Sequence, residues 1–263
     1  MRATVPRRAW VEQVMGLPVS VHVRGAELTG AYVEAHVARV YAELRRVDAV
    51  LSPYRDDSDL SRWDRGGLGL AAADPMLAEV LALCDEAWKR TDGWFDPRGL
   101  PDPRTGLPRY DPSGLVKGWA VQRAARHLAA LDGYGWCLNA GGDILLSAPD
   151  DQPAWRVGVE DPDHTDGVML VLARRGGAVA TSGTARRGGH IVDPHTRRPA
   201  TALRSCTVVG PDLLWADVYA TAAVARGPAS LDWLVDLAGV EALLVTRSGP
   251  VCTPGWASVA PGA

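Results

Sequence analysis

The sequence predicts an α+β fold in which mostly antiparallel sheets pack against helices. Apolar residues at helical spacing are concentrated in the first half of the chain, and short strand-like segments are concentrated in the second half. Many of these short segments are spaced for hairpins, which favours antiparallel pairing over alternating βαβ units. At 263 residues the chain is long enough to bury a substantial core. We therefore expect a single domain over residues 1–263, which could divide into two interleaved subdomains.

The predicted helices have recognisable ends. In the segment 73–93, Asp74 is a candidate N-cap, Pro75 suits the first turn and Gly93 follows the helix end. Another helix follows the turn "DPSG" and is stopped by "DGYG". In chain order, the helices predicted besides the one after Asp74 are Thr29–Leu51, Gly114–Leu131, Leu213–Ala225 and Leu231–Ala238.

Strands are predicted from alternation and from short apolar runs between turns. Residues Pro18–Gly25 alternate between apolar and polar, as in a half-buried strand, and "WCLNAGGDILLS" (136–147) predicts strand, glycine-rich bend and strand. The segment Asp96–Pro112 is the longest loop candidate and a plausible lid or seam between subdomains. The other predicted strands are Trp155–Glu160, Val168–Ala173, Ala178–Thr181, Ser205–Gly210 and Leu243–Thr246.

Composition narrows the class of protein. The chain is 47% hydrophobic and 22% charged, which is ordinary for a soluble globular protein. A net charge of −3 gives no basis for nucleic-acid binding, and no apolar run approaches the roughly 18 residues of a membrane span. The four cysteines include no C-x-x-C pair, and the N-terminal segment lacks the apolar core of an export signal. We therefore expect a cytoplasmic protein with reduced thiols.

The segment "YDPSGLVKGWAVQRA" (110–124) places a glycine-bearing turn at the start of a helix. Backbone N–H groups and the positive end of the helix dipole at such a point suit an anion such as phosphate. Lys117 lies in the first turns and could reach the same anion, although the spacing is not that of a P-loop. The alternative is a capped helix with a surface lysine.

Asp217 and Thr221 are four residues apart, so on a helix they share one face and can coordinate the same ion. A carboxylate, a hydroxyl and a backbone carbonyl suit a hard ion such as Mg²⁺. Alternatively, Asp217 is a charge near a helix start and Thr221 a buried hydroxyl bonded to its own backbone. In "LNAGGDI", the paired glycines indicate a bulge or a close approach of another backbone, and Asp143 could cap the bend or support a neighbouring group.

His190 follows a glycine-rich stretch in "ATSGTARRGGHIVDPHTRRPA" (180–200). An imidazole in an exposed loop is a candidate general acid or base. A lone histidine is also often a structural residue that closes a turn. The other five histidines form no H-x-H or H-x-x-x-H pair, so a zinc site is not expected.

Together, these segments resemble the ApbE family, the FAD:protein FMN transferases. Seven motifs occur in the family's order across about 210 residues, which is far more specific than any single motif. They are "MGLPVSVHV", "LSPYRDDSDLSRWD", "TDGWFDP", "DPSGLVKGWAVQRA", "LNAGGDI", "ATSG…HIVDPHT" and "ADVYATAAVARG".

The resemblance implies an ApbE/T-fold-like architecture with the active site in a cleft between subdomains. It also implies a Mg²⁺-dependent enzyme that splits the pyrophosphate of FAD, transfers FMN to a threonine of an acceptor flavoprotein and releases AMP. The implied metal ligands are Gly114, Asp217 and Thr221, and His190 is the implied catalytic base. The implied FAD contacts are Met15, Tyr54, Trp94, Phe95, Asp96, Asp111, Lys117 and His190.

The chain departs from the family pattern at several points. A short, proline-rich segment, "RGLPDPRTGLPRY" (98–110), stands where the family commonly has a long one, and Trp94 replaces a small residue. No tyrosine follows the "TSG", and "HTRRPA" stands in place of "RTGxP". We expect these changes to affect the binding of FAD and the choice of acceptor protein more than the binding of the metal. An FAD pyrophosphatase that yields FMN and AMP, or a non-catalytic flavin-binding protein, is the alternative function.

Overall fold

A large antiparallel sheet forms the centre of the protein. The computed structural model describes residues 5–102, 104–164, 166–184 and 191–260. The strands of the large sheet are β1 (Arg7–Val14), β2 (Leu17–Arg24), β5 (Gly135–Ala140), β6 (Asp143–Ser147), β9 (Gly176–Gly183), β10 (Leu203–Gly210), β11 (Glu241–Thr246) and β12 (Gly249–Cys252). Within the described residues these eight strands lie in the order β1-β2-β5-β6-β9-β10-β11-β12, and every neighbouring pair is antiparallel. The predicted α+β class with mostly antiparallel pairing is confirmed.

Two short hairpins stand apart from this sheet. One pairs β3 (Leu100–Pro101) with β4 (Pro108–Arg109), inside the segment that the sequence predicts as the longest loop. The other pairs β7 (Trp155–Glu160) with β8 (Val168–Arg174). The helices are α1 (Ala31–Leu51), α2 (Asp59–Asp64), α3 (Pro75–Arg90), α4 (Ser113–Ala129), α5 (Leu213–Arg226), α6 (Ser230–Val235) and α7 (Trp256–Val259).

The main core lies between one face of the sheet and the helices. Alternate residues of β2, namely Val19, Val21 and Val23, are fully buried against side chains of α1, α4 and α5. Helix α5 is apolar nearly all round, and such a helix is buried on all sides. Consequently any charged residue in the middle of α5 must lie inside the protein.

A second, smaller core covers the opposite face of the sheet. The hairpin of β7 and β8 packs there with α7, burying Trp155, Leu172 and Trp256 with side chains from β5, β6 and β9 to β11. Among the described residues, no helix is long and apolar enough to cross a bilayer.

Helices α4 and α5 approach closely at Gly118. A Cβ on Gly118 would lie 2.7 Å from the carbonyl oxygen of Leu213 and 3.1 Å from Cβ of Asp217. A side chain at this position would therefore push the two helices apart. The glycine brings the backbone of α4 against the part of α5 that carries Asp217.

Several predicted elements need correction. The helix predicted over Leu231–Ala238 ends at Val235, because the following N–H groups of Asp236 and Leu237 donate three residues back and tighten into turns. The paired glycines of "LNAGGDI" form a two-residue hairpin turn rather than a bulge, since Gly141 and Gly142 both have positive φ (62° and 105°) between β5 and β6.

Candidate functional site

A cavity of about 650 Å³ lies where the start of α4, the middle of α5 and the end of α1 meet the turn between β1 and β2. This volume is typical of a pocket for a substantial small molecule. Every predicted site residue within the described ranges lines it: Met15, Tyr54, Trp94, Phe95, Asp96, Asp111, Gly114, Lys117, Asp217 and Thr221. His190 lies outside the described residues, but its neighbours Ile191 and Val192 line the same cavity.

Met15 reaches the cavity from an unusual turn. It forms with Gly16 a two-residue hairpin loop between Val14 and Leu17, and both loop residues have positive φ (56° and 72°). Glycine or asparagine is usual at the first position of such a turn. A non-glycine residue held in this region costs of order 1–3 kcal/mol and is found preferentially at functional sites.

The segment 91–96 is held rigidly by Thr91. The Thr91 hydroxyl donates to the Ala87 carbonyl at 2.7 Å and accepts the Phe95 N–H at 3.0 Å. Gly93, with φ of 80°, turns the chain so that Trp94, Phe95 and Asp96 line the cavity. In the motif "TDGWFDP", the residues "TDG" therefore have a structural role: they orient the three residues that follow towards the cavity.

Asp111 precedes Pro112, the N-cap residue of α4, and its carboxylate accepts hydrogen bonds beside the start of the helix. Its Oδ1 accepts the Ser113 N–H at 3.0 Å, and its Oδ2 accepts from Arg109 Nη2 at 2.5 Å. The N–H groups of Leu115 and Val116 donate to the Pro112 carbonyl. Since these three N–H groups already have acceptors, anion binding at this helix end depends mainly on the helix dipole and on Lys117.

Three charged groups meet beneath the cavity. Lys117 Nζ forms an ion pair with Asp143 Oδ2 and lies 3.4 Å from Asp217 Oδ1. The two aspartates are each 1% exposed, whereas the Lys117 side chain is 20% exposed. The cluster thus combines two buried carboxylates with one ammonium at the cavity wall.

The predicted metal ligands line the same cavity, where α4 packs against α5. Thr221 lies one turn after Asp217 on α5, and a Cβ on Gly114 would be 3.5 Å from Thr221 Oγ1. The Gly118 N–H donates to Asp217 Oδ2 at 3.1 Å, and the regular helical acceptor of that N–H is the Gly114 carbonyl. The Asp217 carboxylate accepts a hydrogen bond from the same Gly118 N–H. The Gly114 carbonyl oxygen can therefore accept or coordinate a further partner.

This donor set fits Mg²⁺. Carboxylate, hydroxyl and carbonyl oxygens are hard ligands, and Mg²⁺ usually takes few protein ligands and completes its shell with phosphate oxygens and water. Within the ranges that the structure describes, no three His, Cys, Asp or Glu side chains gather as a metal-binding group. The residues that would hold the ion are Asp217, Thr221 and the backbone of Gly114.

Burial changes the acidity of Asp217. Desolvation raises its pKa from the usual 3.8 to about 7, the ammonium of Lys117 opposes this rise, and the carboxylate of Asp143 adds to it. Asp217 therefore takes up a proton on folding over the pH range between these two values.

We expect the metal-free protein to lose stability as pH rises towards and through about 7. The pKa of Asp217 is higher in the folded state than in the unfolded state, so its contribution is fully present below the unfolded pKa and is lost as the folded group ionises. The measurement is the free energy of unfolding in urea with a chelator present, from about pH 5 to about pH 8. Asp217→Asn should flatten this dependence, and equal slopes for the two proteins would contradict the assignment.

Two departures from the family pattern meet at one wall of the cavity. The ring of Trp94 packs against that of His195, with centroids 4.4 Å apart. Arg197, whose φ is 58°, donates from Nη1 to the Arg98 carbonyl at 2.9 Å. The segment after His190 is thereby tied to the short loop after Asp96, and the indole helps to close a side that the short loop alone would leave open.

Two residues of the site were not predicted as such. Ser182 is 8% exposed and lines the cavity, with its Oγ 3.1 Å from Thr221 Oγ1. Asp143 holds Lys117, as described above. The signals available were the "TSG" and "GGD" motifs, but neither motif indicates which distant side chain its polar residue contacts.

Comparisons with known proteins agree with the motifs. A model of the ApbE family matches residues 15–101 and 102–244. A Rhodobacter capsulatus protein named FAD:protein FMN transferase is 32% identical over 152 aligned positions, covering 54% of this chain and 29% of that protein. A Vibrio cholerae protein of the same name is 31% identical over 241 positions, covering 70% of this chain and 71% of that protein. The crystal structure of the ApbE protein from Thermotoga maritima has a TM-score of 0.84 at 20% identity, covering 97% of this chain and 99% of that one, and so shares its fold.

Proposed function

The chain belongs to the ApbE family, and on that premise we propose that it is a Mg²⁺-dependent FAD:protein FMN transferase. In this reaction the enzyme cleaves the pyrophosphate of FAD, joins FMN through a phosphoester to a threonine of an acceptor flavoprotein and releases AMP. The observation that carries the proposal is the gathering of the predicted site residues of the described ranges around one cavity. The related proteins from Rhodobacter capsulatus and Vibrio cholerae are named FAD:protein FMN transferase, which supports the transfer of FMN from FAD to a protein.

The electrostatics of the cavity suit a pyrophosphate. The N-terminal end of α4 supplies positive potential where the phosphates would lie, and Lys117, although it is paired with Asp143 and Asp217, presents its ammonium at the same wall of the cavity. When bound, Mg²⁺ offsets the negative charge of the pyrophosphate and of the leaving AMP. Asp217, Thr221 and the Gly114 backbone would hold the ion against the floor of the cavity, where the close packing of α4 and α5 at Gly118 fixes their separation.

The acceptor threonine requires activation, because a hydroxyl is a weak nucleophile near neutral pH. In the proposed mechanism His190 takes the hydroxyl proton as the threonine oxygen bonds to the phosphorus of the FMN half. The bond from that phosphorus to the bridging oxygen breaks, and AMP leaves with the oxygen. Ile191 and Val192, which follow His190 directly, line the cavity.

The test is to incubate the protein with FAD, Mg²⁺ and a fusion protein carrying an acceptor segment of the D-x-[ST]-x-x-T type. We expect the acceptor to gain the mass of FMN and AMP to appear in equal amount, as measured by intact mass spectrometry and chromatography. A matched acceptor whose final threonine is changed to valine should gain no mass.

The same experiment without acceptor separates the alternatives. Free FMN and AMP in the absence of acceptor would favour an FAD pyrophosphatase. Retention of FAD with no turnover in either arm would favour a non-catalytic flavin-binding protein. Either result, without modification of the acceptor, would contradict the proposed transfer.

A further inference from the structure

Asp143 is fixed in the interior at the start of β6. Only 1% of its surface is exposed. Its Oδ1 accepts the Thr181 N–H from the neighbouring strand β9 at 3.0 Å, and its Oδ2 faces Lys117 Nζ. Because one oxygen is bound to the sheet backbone, the other oxygen has a defined position relative to α4.

Lys117 lies between two buried carboxylates. Its ammonium is in contact with Asp143 and 3.4 Å from the nearer oxygen of Asp217. Charges in a protein interior interact much more strongly than charges in water. A closer approach of this ammonium to Asp217 would therefore repel a divalent cation bound to the same carboxylate more strongly.

We propose that Asp143 is a positioning residue, which holds the Lys117 ammonium closer to its own carboxylate than to Asp217 and so leaves the Asp217 carboxylate available to a divalent cation. This inference rests on the proposed function and deepens it, because it assigns a role to a residue outside the predicted ligand set. Asp143 acts through Lys117 and contacts neither the cation nor FAD. Without the charge of Asp143, the ammonium moves closer to Asp217, the other carboxylate with which it pairs.

The proposal predicts that loss of the Asp143 charge weakens binding of a divalent cation, and this can be tested by titration. Mn²⁺ is titrated into the wild-type protein, Asp143→Asn, Lys117→Met and the double variant, and its dissociation constant is measured by calorimetry or by electron paramagnetic resonance, with and without ADP. Asparagine keeps the acceptor for the Thr181 N–H and removes the charge. We expect Asp143→Asn to weaken Mn²⁺ binding by about 10–100-fold, the range typical of residues that orient metal ligands.

The double variant distinguishes positioning from a general structural loss. In the arm without ADP, where no phosphate contacts Lys117, Lys117→Met should not weaken Mn²⁺ binding. Adding it to Asp143→Asn should return the dissociation constant in that arm towards the wild-type value, because the competing ammonium is gone. A double variant that binds as weakly as Asp143→Asn would overturn the inference, since the loss would then not pass through Lys117.

The outcomes also separate this inference from the proposed function. If wild-type protein binds Mn²⁺ and Asp143→Asn binds it equally well, the positioning role is wrong and the proposed function stands. If wild-type protein binds no Mn²⁺ in either arm, the metal dependence of the proposed function fails, and the positioning role fails with it.

Discussion

Asp217→Asn is expected to lower metal-dependent release of AMP from FAD by about 10³-fold, equivalent to about 4 kcal/mol of transition-state stabilisation. The asparagine side chain would keep an oxygen to accept the Gly118 N–H, so the packing of α4 on α5 should survive. The substitution removes the only charged member of the proposed ligand set for Mg²⁺, which consists of Asp217, Thr221 and the Gly114 backbone. The measurement is the initial rate of AMP formation at saturating FAD over a range of Mg²⁺ concentrations.

The matched control is Asp212→Asn on the same helix. Asp212 is the N-cap of α5, where its Oδ1 accepts the Trp215 N–H at 3.2 Å, and asparagine caps helices about as well as aspartate. The same chemical change five residues earlier should therefore leave AMP release close to that of the wild type. If Asp217→Asn retained more than about a tenth of the wild-type rate, Asp217 would not be the principal metal ligand.

His190→Ala is expected to slow transfer of FMN to the acceptor by about 10²–10⁴-fold, the usual contribution of a positioned general base. The affinity for FAD should change by a smaller factor, because His190 is one of eight implied FAD contacts but is the only implied base for the proton of the acceptor hydroxyl. Single-turnover kinetics with preloaded FAD, together with an equilibrium dissociation constant for FAD, separate the two effects.

His164→Ala serves as the control for His190→Ala. His164 lies in an exposed turn, where its Nδ1 pairs with Asp161 and its side chain is 79% exposed. We expect transfer at the wild-type rate in this variant. Transfer by His190→Ala at a rate within about tenfold of the wild type would exclude His190 as the base.

Local sequence signals predicted much of the fold. Strand β7 has the predicted bounds, Trp155–Glu160, and α3 begins at Pro75 after the predicted cap, where Asp74 Oδ1 accepts the Met76 N–H at 3.0 Å. Strand β1 was not predicted, because Trp10 and Val11 are adjacent and break the alternation that marks a strand. As an edge strand, β1 is defined by its pairing with β2 rather than by its own pattern.

Some features of the candidate site were likewise predicted from the sequence, and others were not. The spacing of Asp217 and Thr221 on a helix predicted a shared face, and both residues do line one cavity. The pairing of Asp143 with Lys117, and that of Ser182 with Thr221, was not predicted. The role of His190, the cytoplasmic location and the single-domain organisation over residues 1–263 stay predictions.

By itself, the sequence determined the fold class, because caps, turns and periodicity are properties of neighbouring residues. The family and the residues that gather at the cavity were implied by the resemblance of seven ordered motifs to the ApbE family. Only the tertiary structure decided that "GGD" supplies a carboxylate to Lys117, that Gly118 allows α4 to approach Asp217, and that Trp94 and His195 close the wall beside the short loop. These contacts join residues that are distant in the chain. Their geometry depends on how strands pair and on how closely helices pack, and no local pattern in the sequence specifies either quantity.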